Sequence, residues 1–415
     1  MKTIAITIIA LTLSLPIWAQ NNPTFDAKGI VVLSDADMAA SAYIDGHLKL
    51  IPEDRDELTL ISLDEFPAEY TISKLPVSNS VTNWTKSLDI TQDGTIAFVA
   101  ETKGQIDRKT KKVDNVFTAL PAATSIYAID LSKPDQLRII SSAEVGNVPI
   151  VAQLSPDGKH IATVIEEPGK EIVIVSWDGQ RFGKPKHFSI GVSFDQKVRA
   201  TDISWHPSGD YLAVTLEESK QLAFYAVNKK RTGIDLIGSP MAAGELPGAG
   251  QFTPDGKFYL LPDLNGWVSD GYLLSIKPDF EKGQHQIVSK AQVGRAPEGF
   301  GISADGRQVV IANMQGSHFP YGSELWTNGS SLSLLSMDDQ GKLVELDRKP
   351  FAGILPENVA FDKDGDMIAV AVYDYNDLGQ KKGAVEFWKV SENSLEYSGF
   401  KVSVTRGAHV LKVIF

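Results

Sequence analysis

The chain has 415 residues, a formal net charge of −12 at pH 7 and no cysteine. Charge of that sign opposes binding to nucleic acid or to an anionic membrane surface. The missing thiols exclude disulfide cross-links, thiolate metal sites and cysteine nucleophiles, so the fold has to hold without them.

Lys2, the apolar residues 4–18 and the small Ala19 read as a signal peptide over residues 1–19, cleaved before Gln20. Pro16 interrupts the run, which is short for a bilayer span. The mature chain, residues 20–415, is expected in the periplasm or outside the cell, as one domain with no membrane insertion after cleavage. Its first element is incomplete. Residues 25–29 lead into the apolar residues 30–33 as a hairpin would, but no strand precedes them.

Six turns then follow, each between two apolar stretches: Gln92-Asp93-Gly94, Pro156-Asp157-Gly158, Pro207-Ser208-Gly209, Pro254-Asp255-Gly256, Ala304-Asp305-Gly306 and Lys363-Asp364-Gly365. Glycine accepts the positive φ that a tight strand connection demands. The glycines lie 64, 51, 47, 50 and 59 residues apart, a period suited to four-stranded blades. Alternation rich in Val, Ile and aromatics around each turn supports strands throughout. At the far end, residues 407–415 read as an inner strand lacking its turn. The two incomplete ends complement each other. The sequence therefore predicts an all-β, seven-bladed β-propeller, closed by the C-terminal strand pairing into the N-terminal blade.

Residues 145–149 before 154–159 (Val-Gly-Asn-Val-Pro, then Leu-Ser-Pro-Asp-Gly-Lys) resemble the YVTN-type propeller repeat, as do residues 293–297 before 302–307. Ile311-Ala312-Asn313 occupies the place of the signature Val-Ala-Asn. The repeats are similar to those of the lactonase-family seven-bladed propellers, and the likeness spans most of the mature chain. It implies the fold and raises hydrolysis of a lactone or related cyclic ester as an activity. One stretch departs from that pattern. Where such proteins commonly carry Pro-Arg-His entering an inner strand, this chain has Pro297-Glu298-Gly299 and Pro356-Glu357-Asn358.

If the glycine turns share one face of the disc, the long connections 35–57, 103–124, 263–271, 314–330 and 373–383 share the other. Loops of that length within a repeat are more often functional than ornamental. They bring Trp267, His318, Tyr321, Trp326 and Tyr373 to one rim, where aromatics could stack on a small molecule or a peptide. Eight residues before each turn glycine, where inner strands begin and face the axis, stand Lys86, Ile150, Thr201, Gly248, Glu298 and Glu357, with His409 at the seventh place. Acids such as Asp35 and Asp263 recur where second strands end, and are expected to cap turns there.

Two readings follow. In the first, the long-loop face binds a small ligand or partner protein without catalysis, using Lys86, Thr201, Trp267, His318, Tyr321, Trp326, Tyr373 and Arg406. In the second, the protein is a hydrolase, with Glu298 or Glu357 activating water, His409 shuttling protons and Lys86 or Arg406 opposing the oxyanion. A quinone-dependent dehydrogenase shares the propeller class, but no residues identify a cofactor. No metal site is expected: the Asp-Lys-Asp-Gly-Asp run at 362–366 lacks the downstream acid of a Ca²⁺ loop. Neither a Gly-x-Ser-x-Gly elbow nor a His-Glu-x-x-His helix is present.

Overall fold

A computed structural model describes residues 24–82, 86–191, 198–375 and 382–415; the predicted signal peptide lies outside the described residues. The described strands form seven antiparallel sheets, six of four strands and one of five. The innermost strands of consecutive sheets pack against one another around a common axis, and the last returns to the first. This is the seven-bladed propeller predicted from the turn spacing.

Closure occurs where the sequence places it. The strand Ala408–Ile414 lies innermost in the first blade, antiparallel to Gly29–Ser34, with Gly29 opposite Ile414 and Leu33 opposite Val410. Lys28 N donates to Ile414 O (2.8 Å) and Asp35 N to Gly407 O (2.9 Å). No inner edge is left open there to pair with another chain.

All six turn glycines adopt left-handed backbone, with φ between 69° and 82°. Four turns share a hydrogen-bonded device. The hydroxyl of Thr91, Ser155, Thr253 or Ser303 donates to the aspartate two residues on. The same hydroxyl accepts the N–H that starts the returning strand. Asp362 replaces it in the last blade, accepting from Gly365 N and Met367 N. Ser/Thr-x-Asp-Gly is thus a local instruction that needs no tertiary help.

Blade-to-blade packing follows from period-two alternation. In the strand Gln308–Asn313, Val309 and Ile311 pack with Leu260 and Leu273 of the preceding blade, while Val310 and Ala312 pack with Val370 and Val372 of the next. Seven such cores separate seven pairs of blades. An eighth has a different origin: Met38, Leu48, Val116, Leu120, Leu264, Met314 and Tyr373 come from all five long loops. The loops therefore share one apolar core on their own face of the disc. Among the described residues, no helix is long and apolar enough to cross a membrane.

Candidate functional site

The position eight residues before three of the turn glycines, and its counterpart in the closing strand, is built in a particular way. In four inner strands the pairing register slips by one residue there. The extra residue is Thr201 in Ala200–Trp205, Glu298 or its neighbour Gly299 in Pro297–Ile302, Glu357 in Gly353–Phe361 and His409 in the closing strand. A bulge takes a residue out of the ladder and re-aims its side chain. Just ahead of the two glutamates, Ala296 and Leu355 take left-handed backbone, at φ 50° and 49°, each followed by proline. Bulky residues avoid that region, so strain is held where Glu298 and Glu357 are presented. The two strands also touch. A Cβ on Gly299 would lie 1.7 Å from Glu357 O, so a side chain there would force the glutamates' strands apart.

Glu298 and Glu357 line an axial cavity of about 80 Å³ on the long-loop face, together with Tyr43, Trp267, His318 and Arg199. Apolar walls come from Val81, Leu246, Met314 and Leu355. Tyr43 lies edge-on to Trp267, with ring centres 6.0 Å apart, and Trp267 edge-on to His318 at 5.4 Å. Trp267 itself has φ 70°.

Several polar atoms here have no partner among the described residues. Glu357 Oε2, Trp267 Nε1 and both ring nitrogens of His318 are buried and unpaired. Burial drives the titrations: Glu298 is pushed up to about 8 by desolvation, and Glu357 is raised by desolvation and then by Glu298 and Asp35. Desolvation also lowers His318 to about 4, helped by the nearby Arg295 guanidinium. Near neutral pH the cavity therefore presents a protonated Glu298 carboxyl and a neutral His318 imidazole, groups able both to donate and to accept hydrogen bonds.

The remaining sequence-predicted residues sit elsewhere. Lys86 is a strut. Its ammonium pairs with Asp202 (2.8 Å) and donates to Ile203 O, Ser204 Oγ and Gly250 O, reaching from the second blade to the fourth and fifth. Thr201 is buried away from the cavity lining. Tyr373 belongs to the loop core, fully buried, its hydroxyl donating to Met38 O (2.6 Å). His409 is buried beside Asn79, with Nε2 and Asn79 Oδ1 2.8 Å apart. Asn79 Nδ2 donates to Ser34 O and Val77 O, so the hydrogen-bond network assigns the proton to Nε2 of His409. Burial lowers that imidazole to about 3, and it closes the ring neutral. Tyr321, Trp326 and Arg406 line a second cavity on the same face.

The strand-end acids do cap loops, but inside the protein. Asp263 Oδ1 accepts from the N–H groups of Glu245, Leu246 and Asn265, and Asp35 accepts from those of Val81 and Asp37. Tyr43 and Arg199 escaped the sequence reading because each lies in a connection with no repeat position to mark it. Arg199, which pairs with Glu166 (3.0 Å), is the cation lining the axial cavity. Among the described residues, no cluster of His, Asp and Glu is arranged to hold a metal ion.

No family model matches the chain, and no curated protein matches it. Solved structures do. A candidate 6-phosphogluconolactonase from Bacteroides fragilis is 13% identical, with 94% of this chain and 98% of that chain covered and a TM-score of 0.65. One from Bacteroides uniformis is 12% identical, with 94% and 100% covered and a TM-score of 0.64. The periplasmic gluconolactonase PpgL of Pseudomonas aeruginosa is 15% identical, with 93% and 99% covered and a TM-score of 0.62. At these identities the shared property is the fold: this chain has the seven-bladed propeller of lactonase-type structures.

Proposed function

We propose that this propeller binds a small molecule in the axial cavity of its long-loop face and does not transform it. The observation that carries this reading is the group of buried, unpaired polar atoms around one cavity: Glu357 Oε2, Trp267 Nε1 and the two nitrogens of His318. A buried polar atom without a partner costs about 1–3 kcal/mol, which a hydrogen-bonding ligand would recover. Aromatic and aliphatic walls interleaved with hydrogen-bonding groups, the Arg199 cation among them being paired with Glu166, suit a compact, uncharged ring compound. Export to the periplasm or beyond belongs to the same reading and rests on residues 1–19. A mature N-terminus at Gln20 would support it, and an intact leader on cytoplasmic protein would contradict it.

Lactone hydrolysis is the second reading, favoured by the close acid pair. One carboxylate would take a proton from water as its oxygen adds to the carbonyl, and the protonated partner would give one to the departing ring oxygen. Arg199 is then the cation available to the oxyanion, because Lys86, Arg406 and His409 do not line the cavity. A panel of γ- and δ-lactones separates the readings. The binding reading expects saturable change in Trp267 fluorescence, lost in Trp267→Phe, with no turnover. Turnover that rises with pH through about 8 and disappears in Glu298→Gln and Glu357→Gln would replace it with hydrolysis.

A further inference from the structure

We propose a second ligand site on the long-loop face, built around Arg406, that takes a small monocarboxylate bearing an apolar ring. It uses none of the residues of the axial cavity and stands or falls separately from that reading. Arg406 lies between the strand Leu395–Thr405 and the closing strand, and is only 2% exposed. Its one hydrogen bond among the described residues runs from Nη1 to Lys49 O (2.9 Å), and its Nε is buried with no partner. No described carboxylate forms an ion pair with it. A buried guanidinium without a counterion is costly, and an anion arriving from solvent removes that cost.

The geometry selects the anion. With Nη1 engaged, the free edge of the guanidinium is the one carrying Nε and Nη2. Two parallel N–H groups on that edge match the two oxygens of a carboxylate. Arg406 opens on a cavity of about 670 Å³, where Lys49 supplies a second positive charge while donating to Ser41 Oγ (3.1 Å). Asp374 lines the same cavity, its Oδ1 accepting from Tyr375 N, so a monoanion is favoured over a dianion.

The rim selects the rest of the ligand. Tyr321, 86% exposed, stands edge-to-face on Trp326 with ring centres 4.8 Å apart. Phe319 and Ile354 continue the apolar wall inward. An exposed aromatic pair beside a buried cation fits a ring that stacks outside while its carboxylate reaches in.

Phenylacetate, its neutral isostere phenylacetamide and phenyl phosphate are the probes, followed by calorimetry and by Trp326 fluorescence. Phenylacetate should bind saturably, and at least about tenfold more tightly than the amide, since a charge-assisted fork contributes well over one hydrogen bond. Trp326→Phe should abolish the fluorescence change, Arg406→Gln should weaken the acid to the level of the amide, and Glu357→Gln should change neither. If Arg406→Gln fails to fold, exposed Lys49→Gln decides: it should weaken the acid several-fold and leave the amide unchanged. Equal binding of acid and amide, no saturable binding of the acid, or indifference to Lys49→Gln would overturn the site. Tighter binding of phenyl phosphate would overturn the monocarboxylate assignment.

Discussion

Glu298 and His409 occupy equivalent places in their blades, yet burial pushes their protonation in opposite directions. Glu298 keeps its proton in the fold up to about 8, whereas the unfolded chain releases it from 4.5. Between those values the folded state holds the extra proton, so its contribution to stability declines as pH rises. Asp35, raised to about 6, and Glu357 act in the same sense. His409 works on the acid side. The unfolded imidazole gains its proton from 6.5 downward while the folded one resists until about 3, so stability is lost as pH falls through that window. Thermal unfolding should therefore be most resistant at mildly acidic pH. Glu298→Gln should gain on the wild type between about pH 5 and about pH 9, and equal slopes for the two proteins would refute the buried, protonated carboxyl. Spacing placed both residues where inner strands begin. It could not reveal that His409 would be spent on Asn79 and Lys86 on Asp202, because the reach of a side chain is a tertiary property.

The hairpin turns and the inner strands that feed them were legible in sequence because their chemistry is local. Ser/Thr-x-Asp-Gly closes on itself, and a left-handed glycine completes it. That equivalence gives a comparison. A Cβ on Gly158 would meet nothing within 4 Å, so Gly158→Ala should cost only the backbone term, about 1 kcal/mol. On Gly94 the added Cβ would meet Ile414 Cγ2 of the closing strand, 2.2 Å away, so Gly94→Ala should cost roughly 1–3 kcal/mol more by chemical denaturation. Equal losses at the two sites would mean that the closing strand does not press on that turn. The bulges and the strained Ala296 and Leu355 left no such mark. Their register depends on the neighbouring strand, and only the Pro-Glu pairs at 297–298 and 356–357 hinted at something unusual.

At the level of the molecule, ring closure was readable because both ends were visibly incomplete, and each lacked what the other supplied. The shared loop core was not. Met38, Leu48, Val116, Leu120 and Met314 are scattered through long connections without periodicity, and only their convergence over the axis makes them a core. Removing residues 407–415 strips the first blade of its innermost strand and exposes Val31 and Leu33, which pack with Val410. Cooperative unfolding should be lost in calorimetry of that truncation; an unchanged transition would contradict closure by the tail.

The reading as a binding protein turns on whether the axial cavity is a true site. The most direct measurement is crystallographic fragment soaking of the full mature chain with small uncharged ring compounds. Occupancy between Trp267, His318 and the two glutamates, with a fragment atom within hydrogen-bond distance of Glu357 Oε2 or a His318 nitrogen, is the predicted result. A cavity filled by the protein's own side chains, with those atoms paired to protein groups and fragments bound only elsewhere, would contradict it.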